Sequence, residues 1–265
     1  MYPHLVEIGG FFIPTYGVLV ATAFLVAVWL TGRLARQAGL NQESVINLGI
    51  YSALAGVVGA KLLMVIADFR NYADHPENLF TLATLQAAGV FYGGLLGAML
   101  VGWLYMRRRK LPVWRTMDVF APAIALGHGI GRLGCFSAGC CWGVETRLPW
   151  AVTFSNPEAS RFGTPLGLPL HPTQLYEAFG EFAIFGFLLW RWRKPHGDGQ
   201  IIGLYLVLYA ALRFIVEFVR FQQEPPPFGA PLSDDQWISI GLLIIGAYLM
   251  ATRRTRAAER VPQKV

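Results

Sequence analysis

The chain has 265 residues, 54 % hydrophobic and only 14 % charged, against roughly 25 % charged in a soluble domain. So apolar a chain is not intrinsically disordered, three cysteines in this length are not a disulfide scaffold, and a mean hydropathy of +0.44 does not fit a water-soluble enzyme. The net charge of +6 sits in short basic clusters between apolar runs, a pattern of membrane topology and not of a nucleic-acid partner.

A spanning helix needs about 20 mostly apolar residues, and about seven runs qualify. They are Phe11–Thr31, Val45–Ala67, Gly89–Met106, Met117–Phe136, Gln174–Trp190, Ile201–Val219 and Trp237–Ala251. The fold class expected is all-α: a polytopic membrane protein, one domain over 1–265, with an ordered outside loop region over 137–173. Five prolines and the aromatics Trp142, Trp150, Phe154 and Phe162 mark that loop. Residues 1–10 hold no Lys or Arg, so no cleavable signal peptide is expected.

Basic residues accumulate on the cytoplasmic side. Here Arg33 and Arg36, then Arg107–Lys110 with Arg115, then Arg191, Arg193 and Lys194, then Arg253, Arg254, Arg256, Arg260 and Lys264 occupy alternate connections. Glu7, then Asp68, Asp74 and Glu77, then Glu145 and Glu158, then Glu224, Asp234 and Asp235 mark the other side. This predicts an outside N-terminus and a cytoplasmic C-terminus.

Ionisable groups inside spans are costly and point to function. They are Lys61, His128, Arg132, Glu177, Glu181, Arg213 and Glu217. Lys61 reads as structural, snorkelling or paired with a carboxylate. Arg213 and Glu217 are spaced i, i+4 on one helix face, and Arg220 extends the stripe. The segment GHGIGRLGCFSAGCCWG, 127–143, places Arg132 among six glycines. Close backbone approach and a guanidinium fork suit a lipid phosphate; the competing reading is an arginine bonded to carbonyls.

Cys135-x4-Cys140-Cys141 matches no usual zinc spacing. No metal is expected there. The three read as small fillers of a tight turn, or as a pair open to oxidation. The segment HPTQLYEAFGEF, 171–182, opens the fifth span with His171, Gln174, Tyr176 and Glu177. Histidine is the common proton acceptor near neutral pH; interfacial anchoring is the other reading.

Taken in order, YGVLV (16–20), FYGGLLGA (91–98), GRLGCFSAGCCWG (131–143), HPTQLYE (171–177) and LRFIVEFVR (212–220) resemble the prolipoprotein diacylglyceryl transferase family. The resemblance covers about 11–250. It implies transfer of diacylglyceryl from phosphatidylglycerol to the lipobox cysteine of preprolipoprotein signal peptides, in the bacterial inner membrane, among membrane lipids, with no cofactor and no nucleic acid. It implies lipid binding by Arg132, Arg213, Arg220, Gly134, Gly143 and Gln174, and chemistry at His171, Tyr92, Tyr16 and Glu217. Three positions depart from the family pattern: Cys135 and Ala138 stand where it has Asn, and Cys140 where it has Glu. Tyr92 also stands where many members have a His before paired glycines. A paralogue that binds phospholipid or modifies another acceptor is the alternative implied. A solute transporter fits less well, because no internal repeat is visible.

Overall fold

The structure, a computed structural model, describes residues 3–8, 11–81, 84, 89–222 and 231–253. Of the charge pattern, Glu224, Arg254, Arg256, Arg260 and Lys264 lie outside the described residues. Each of the seven apolar runs is a helix. They are α1 (Thr15–Gln37), α2 (Gln42–Ala67), α4 (Phe91–Arg108), α5 (Val113–Ala138), α6 (Thr173–Trp192), α7 (Gln200–Glu217) and α8 (Asp234–Arg253), with a short α3 (Phe69–Asp74) after α2. Five of them, α1, α2, α5, α7 and α8, are long and apolar enough to cross a membrane. Of the other two, α6 carries Glu177, Glu181 and Arg191, and α4 is glycine-rich and ends on Arg107 and Arg108. The protein is an all-α, multi-pass membrane protein.

The backbone gathers into two compact units, 31–116 and 1–30 with 117–265. In the first, Asn41 caps α2 by accepting from the Ser44 N–H at 2.7 Å, which satisfies one orphan donor of the first turn. α2 and α4 pack along a glycine seam. A Cβ on Gly59 would run into the Gly93 carbonyl, and one on Gly93 into that of Gly59. Small residues let two backbones approach where lipid offers helices no hydrophobic drive to associate. Val57, Leu62, Ile66, Leu96 and Leu100 are exposed along these helices, as lipid-facing side chains are. Lys61 donates to the Thr84 carbonyl at 2.6 Å, which accords with a structural role.

In the second unit, β1 (His4–Ile8) pairs antiparallel with β2 (Phe11–Pro14). This corrects the start of the first span: residues 11–14 are extended, and the helix begins at Thr15. Pro14 disfavours a helical residue before it and donates no hydrogen bond. The chain instead turns back, with the Thr15 N–H on the Pro3 carbonyl at 2.9 Å. α5 runs unbroken through Pro122. Near its start, buried Asp118 accepts from the N–H groups of Gly199 (2.6 Å) and Ile202 (2.8 Å). It thereby caps α7 from another helix and places negative charge at that helix's positive end.

Residues 139–172 fold as a small cap. β3 (Val152–Thr153) pairs with β4 (Pro169–Leu170), and Trp142, Phe154, Ala159 and Leu170 form a buried core. The segment thus has an apolar centre of its own, against which Phe136 and Val152 also pack. Of its aromatics, Trp150 and Phe162 remain exposed.

Candidate active site

The site is built where α5 and α7 end and α6 begins, beside the 139–144 turn. Gly143 fixes how closely the pieces meet. Its N–H donates to the His171 carbonyl at 3.0 Å, the Val144 N–H donates to the Val219 carbonyl at 2.9 Å, and the Phe221 N–H donates to the Trp142 carbonyl at 3.1 Å. Gly143 therefore lies between the segment before α6 and the segment after α7. A Cβ there would sit 2.5 Å from the His171 Cβ and 2.5 Å from the Val219 oxygen. No other residue leaves that space.

The charged stripe expected on one late helix is corrected here. α7 ends at Glu217. The N–H groups of Phe218, Val219 and Arg220 reach back three residues, a tightened exit turn, and Arg220 then bridges Gly143 in an extended conformation. The backbone hydrogen bonds on offer from the 142–144 segment end the helix, which hydrophobicity alone would have continued to Val219.

Three arginines converge on Glu177. Arg132 Nε lies 2.5 Å from its Oε2, Arg213 Nη1 3.1 Å from its Oε1, and Arg220 Nη1 3.9 Å from the same Oε1. Glu177 is 2 % exposed. Arg213 also meets Glu217 (2.8 Å) and Asp235 (2.5 Å). Ser233 donates to the other oxygen of Glu217 at 3.2 Å, so Glu217 is engaged on both oxygens. Arg132 Nε also donates to His128 Nε2 at 3.2 Å, and the other ring nitrogen of His128 lies 2.7 Å from Glu181. An arginine donating to Nε2 sets the tautomer: Nδ1 carries the proton and donates to Glu181.

The remaining expected residues have other partners. Gly134 backs onto Tyr16, whose Cδ2 would be 3.2 Å from a Cβ there. Tyr16 and Ala138 help line a cavity of about 210 Å³ with His4, Phe12 and Arg161. His171 pairs through Nδ1 with the Tyr176 hydroxyl at 3.1 Å, which also accepts from Trp150 Nε1 at 2.8 Å. Gln174 is buried and donates to the Cys140 carbonyl at 2.6 Å, so it holds the turn. Tyr92 stands exposed in the first turn of α4, in the other compact unit.

The spacing of Cys135, Cys140 and Cys141 gave no reason to expect them together, yet their three sulfurs lie within 4.8 Å of one another. Thiols this close share protons. Hydrogen bonds from Cys135 and Cys140, with Arg220 and Arg132 nearby, lower the Cys141 pKa. Hydrogen bonding with Cys135 and Cys141, together with burial, raises that of Cys140. The site assignment from sequence also left out Glu177, Glu181, His128 and Asp235. The first three were visible as charges inside spans, but Asp235 had no signal beyond membership of an acidic connection.

A family profile described as prolipoprotein diacylglyceryl transferase matches residues 3–252. The phosphatidylglycerol–prolipoprotein diacylglyceryl transferase of Clostridium tetani is 37 % identical over 256 residues, 97 % of this chain and 99 % of that protein. A Clostridium perfringens protein of that name, numbered 2, is 31 % identical over 97 % of this chain and 98 % of its own. The Vibrio atlanticus enzyme is 34 % identical over 99 % and 95 %. Matched along nearly its whole length, the chain belongs to the prolipoprotein diacylglyceryl transferase family.

Proposed function

We propose that this protein transfers the diacylglyceryl group of phosphatidylglycerol to the lipobox cysteine thiol of a preprolipoprotein, the first step of lipoprotein maturation. The observation that carries the reading is the convergence of Arg132, Arg213 and Arg220 on Glu177. A cluster of guanidinium groups that already gathers around one carboxylate is suited to a phosphodiester, because each fork donates charge-assisted hydrogen bonds to paired oxygens.

The reaction forms a carbon–sulfur bond and breaks the bond between the glyceryl carbon and a phosphate oxygen. Glycerol phosphate leaves with the electron pair, and the thiol proton must go to an acceptor. Arg132 and Arg220 hold the phosphate and stabilise the charge that grows on it. Arg213, ion-paired with Glu177, Glu217 and Asp235, ties α6, α7 and α8 together beneath the site. His171 takes the thiol proton, and Tyr16, against Gly134, positions the headgroup. Gly134 and Gly143 let helix and turn come close enough for this set to form.

The charge pattern supports seven spans in a bacterial inner membrane, with the N-terminus and 137–173 outside and the C-terminus cytoplasmic. The acceptor's signal peptide and the lipid then reach the site from the bilayer. Incubating the purified protein with phosphatidylglycerol and a lipobox peptide should yield the thioether peptide and glycerol phosphate in equal amounts. Saturable lipid binding without either product would instead favour a phospholipid-binding paralogue, the reading to which Tyr92, Cys135 and Cys140 lend weight.

A further inference from the structure

The turn that follows α5 is built to hold three thiols. Gly139 and Cys141 both adopt left-handed backbone conformations, with φ of 82° and 61°. At a residue with a side chain this is disfavoured and persists only where the surroundings impose it. They do so here. Thr164 Oγ1 donates to the Gly139 carbonyl at 2.5 Å, Gln174 Nε2 to that of Cys140 at 2.6 Å, and Thr173 Oγ1 to that of Cys141 at 2.7 Å. The N–H groups of Gly139 and Cys140 both return to the Cys135 carbonyl. Three consecutive carbonyls are thus each clamped by a side chain from outside the turn, and the chain folds back so that Cys140 and Cys141 meet Cys135.

All three cysteines are free and partly buried, with sulfurs within 4.8 Å of one another. Sulfurs bound to one tetrahedral zinc ion at 2.3 Å lie about 3.8 Å apart, so a small closure brings them to a metal. Three thiolates and one Zn²⁺ carry a net negative charge. Arg132 and Arg220 lie near enough to act electrostatically on Cys141 and offset that charge. A trithiolate set selects thiophilic ions over magnesium or calcium.

We propose that Cys135, Cys140 and Cys141 bind zinc through three thiolates and leave the fourth position open for the thiol of the acceptor protein. This rests on the transferase reading above. A free thiol is only a few per cent ionised at neutral pH, whereas a thiol on zinc is deprotonated outright. The acceptor S–H coordinates, and its proton passes to His171, whose segment lies against Cys141–Gly143 through the Thr173 and Gly143 hydrogen bonds. The zinc-bound sulfur then attacks the glyceryl carbon, and the carbon–oxygen bond to phosphate breaks. The phosphate leaves with that electron pair, takes the proton from His171, and the thioether dissociates. No oxidant or reductant is needed.

The test begins with metal binding, which needs no turnover. The full-length protein in detergent, reduced, incubated with zinc and desalted, should retain about one zinc ion per chain. Cys135→Ser, Cys140→Ser and Cys141→Ser should each lower retention more than about tenfold. Cobalt loaded into the unsubstituted protein should show thiolate charge-transfer absorption and tetrahedral d–d bands, a readout that does not depend on any variant folding. That charge-transfer absorption should grow when a lipobox peptide is added and stay unchanged with its Cys→Ser form. No retained zinc, zinc retained equally by the triple Ser variant, or no response to the cysteine peptide would each overturn the proposal. So would undiminished transfer after the metal is stripped. If the metal and peptide responses appear but phosphatidylglycerol gives no thioether, the transferase reading fails and the zinc site stands.

Discussion

Arg213 and Glu177, 36 positions apart in the chain, meet at 3.1 Å with side chains 5 % and 3 % exposed. One belongs to α7 and the other to α6, so their contact ties two helices together at the level of the site. Removing one member of such a buried set strands the other's charge, at a cost of about 3–5 kcal/mol. Glu177→Gln should therefore lower the thermal unfolding temperature in detergent markedly, as well as abolish transfer. An unchanged unfolding temperature would show that Glu177 does not organise the three arginines.

Arg132→Ala should weaken use of phosphatidylglycerol. Losing a charge-assisted hydrogen bond costs about 1.5–3 kcal/mol, or roughly 10- to 150-fold in kcat/KM for the lipid. Arg132→Lys should be impaired as well, since a point charge cannot reproduce the planar fork. Steady-state kinetics over a range of lipid concentrations decide this, and full activity in the alanine variant refutes the assignment.

Gly143→Ala should be disproportionately damaging. The added methyl would lie 2.5 Å from both the His171 Cβ and the Val219 oxygen, and overpacking of this kind costs about 1–3 kcal/mol. Gly186 in α6 is the control, because a methyl there meets nothing within 4 Å among the described residues. Gly186→Ala should be neutral or stabilise by about 0.5–1 kcal/mol. Equal effects at the two positions, read as unfolding temperatures, would mean that close approach at Gly143 is not what requires glycine.

Asp118→Ala removes an acceptor from two N–H groups at the start of α7. The expected loss of stability is about 2 kcal/mol. Asp118→Asn keeps an acceptor oxygen and should lose less. Lipid affinity should be little changed in whatever fraction remains folded, which a binding measurement on the folded fraction checks.

His171→Gln should lower turnover most at low pH and recover partly as pH rises. The sign follows from the acceptor thiol's proton, which passes to solvent more readily as pH rises and then needs no protein acceptor. Tyr92→Phe should cost less and show no such recovery. A pH–rate profile at saturating lipid compares the two. If Tyr92→Phe abolishes transfer while His171→Gln leaves the profile unaltered, the proton goes to Tyr92.

Much was already legible in the amino-acid order. Apolar runs of spanning length specify helices because lipid offers no partner for backbone N–H and C=O groups, and the seven runs are indeed seven helices. Arg132, Glu177, Arg213 and Glu217 stood out because a charge inside such a run is costly unless something holds it. Partners were another matter. That Glu177 is the common partner of three arginines, that Asp235 joins Arg213, and that Asp118 caps a helix starting at Gln200 depends on contacts between distant segments, which no local period encodes. The same holds at the end of α7, where backbone bonding with the 142–144 segment overrides the apolar run and turns Arg220 out of the helix. Cys135, Cys140 and Cys141 show the limit most plainly. Their spacing fits no linear ligand pattern, and only two left-handed residues, held by Thr164, Gln174 and Thr173 from beyond the turn, fold the chain back and bring the three sulfurs together.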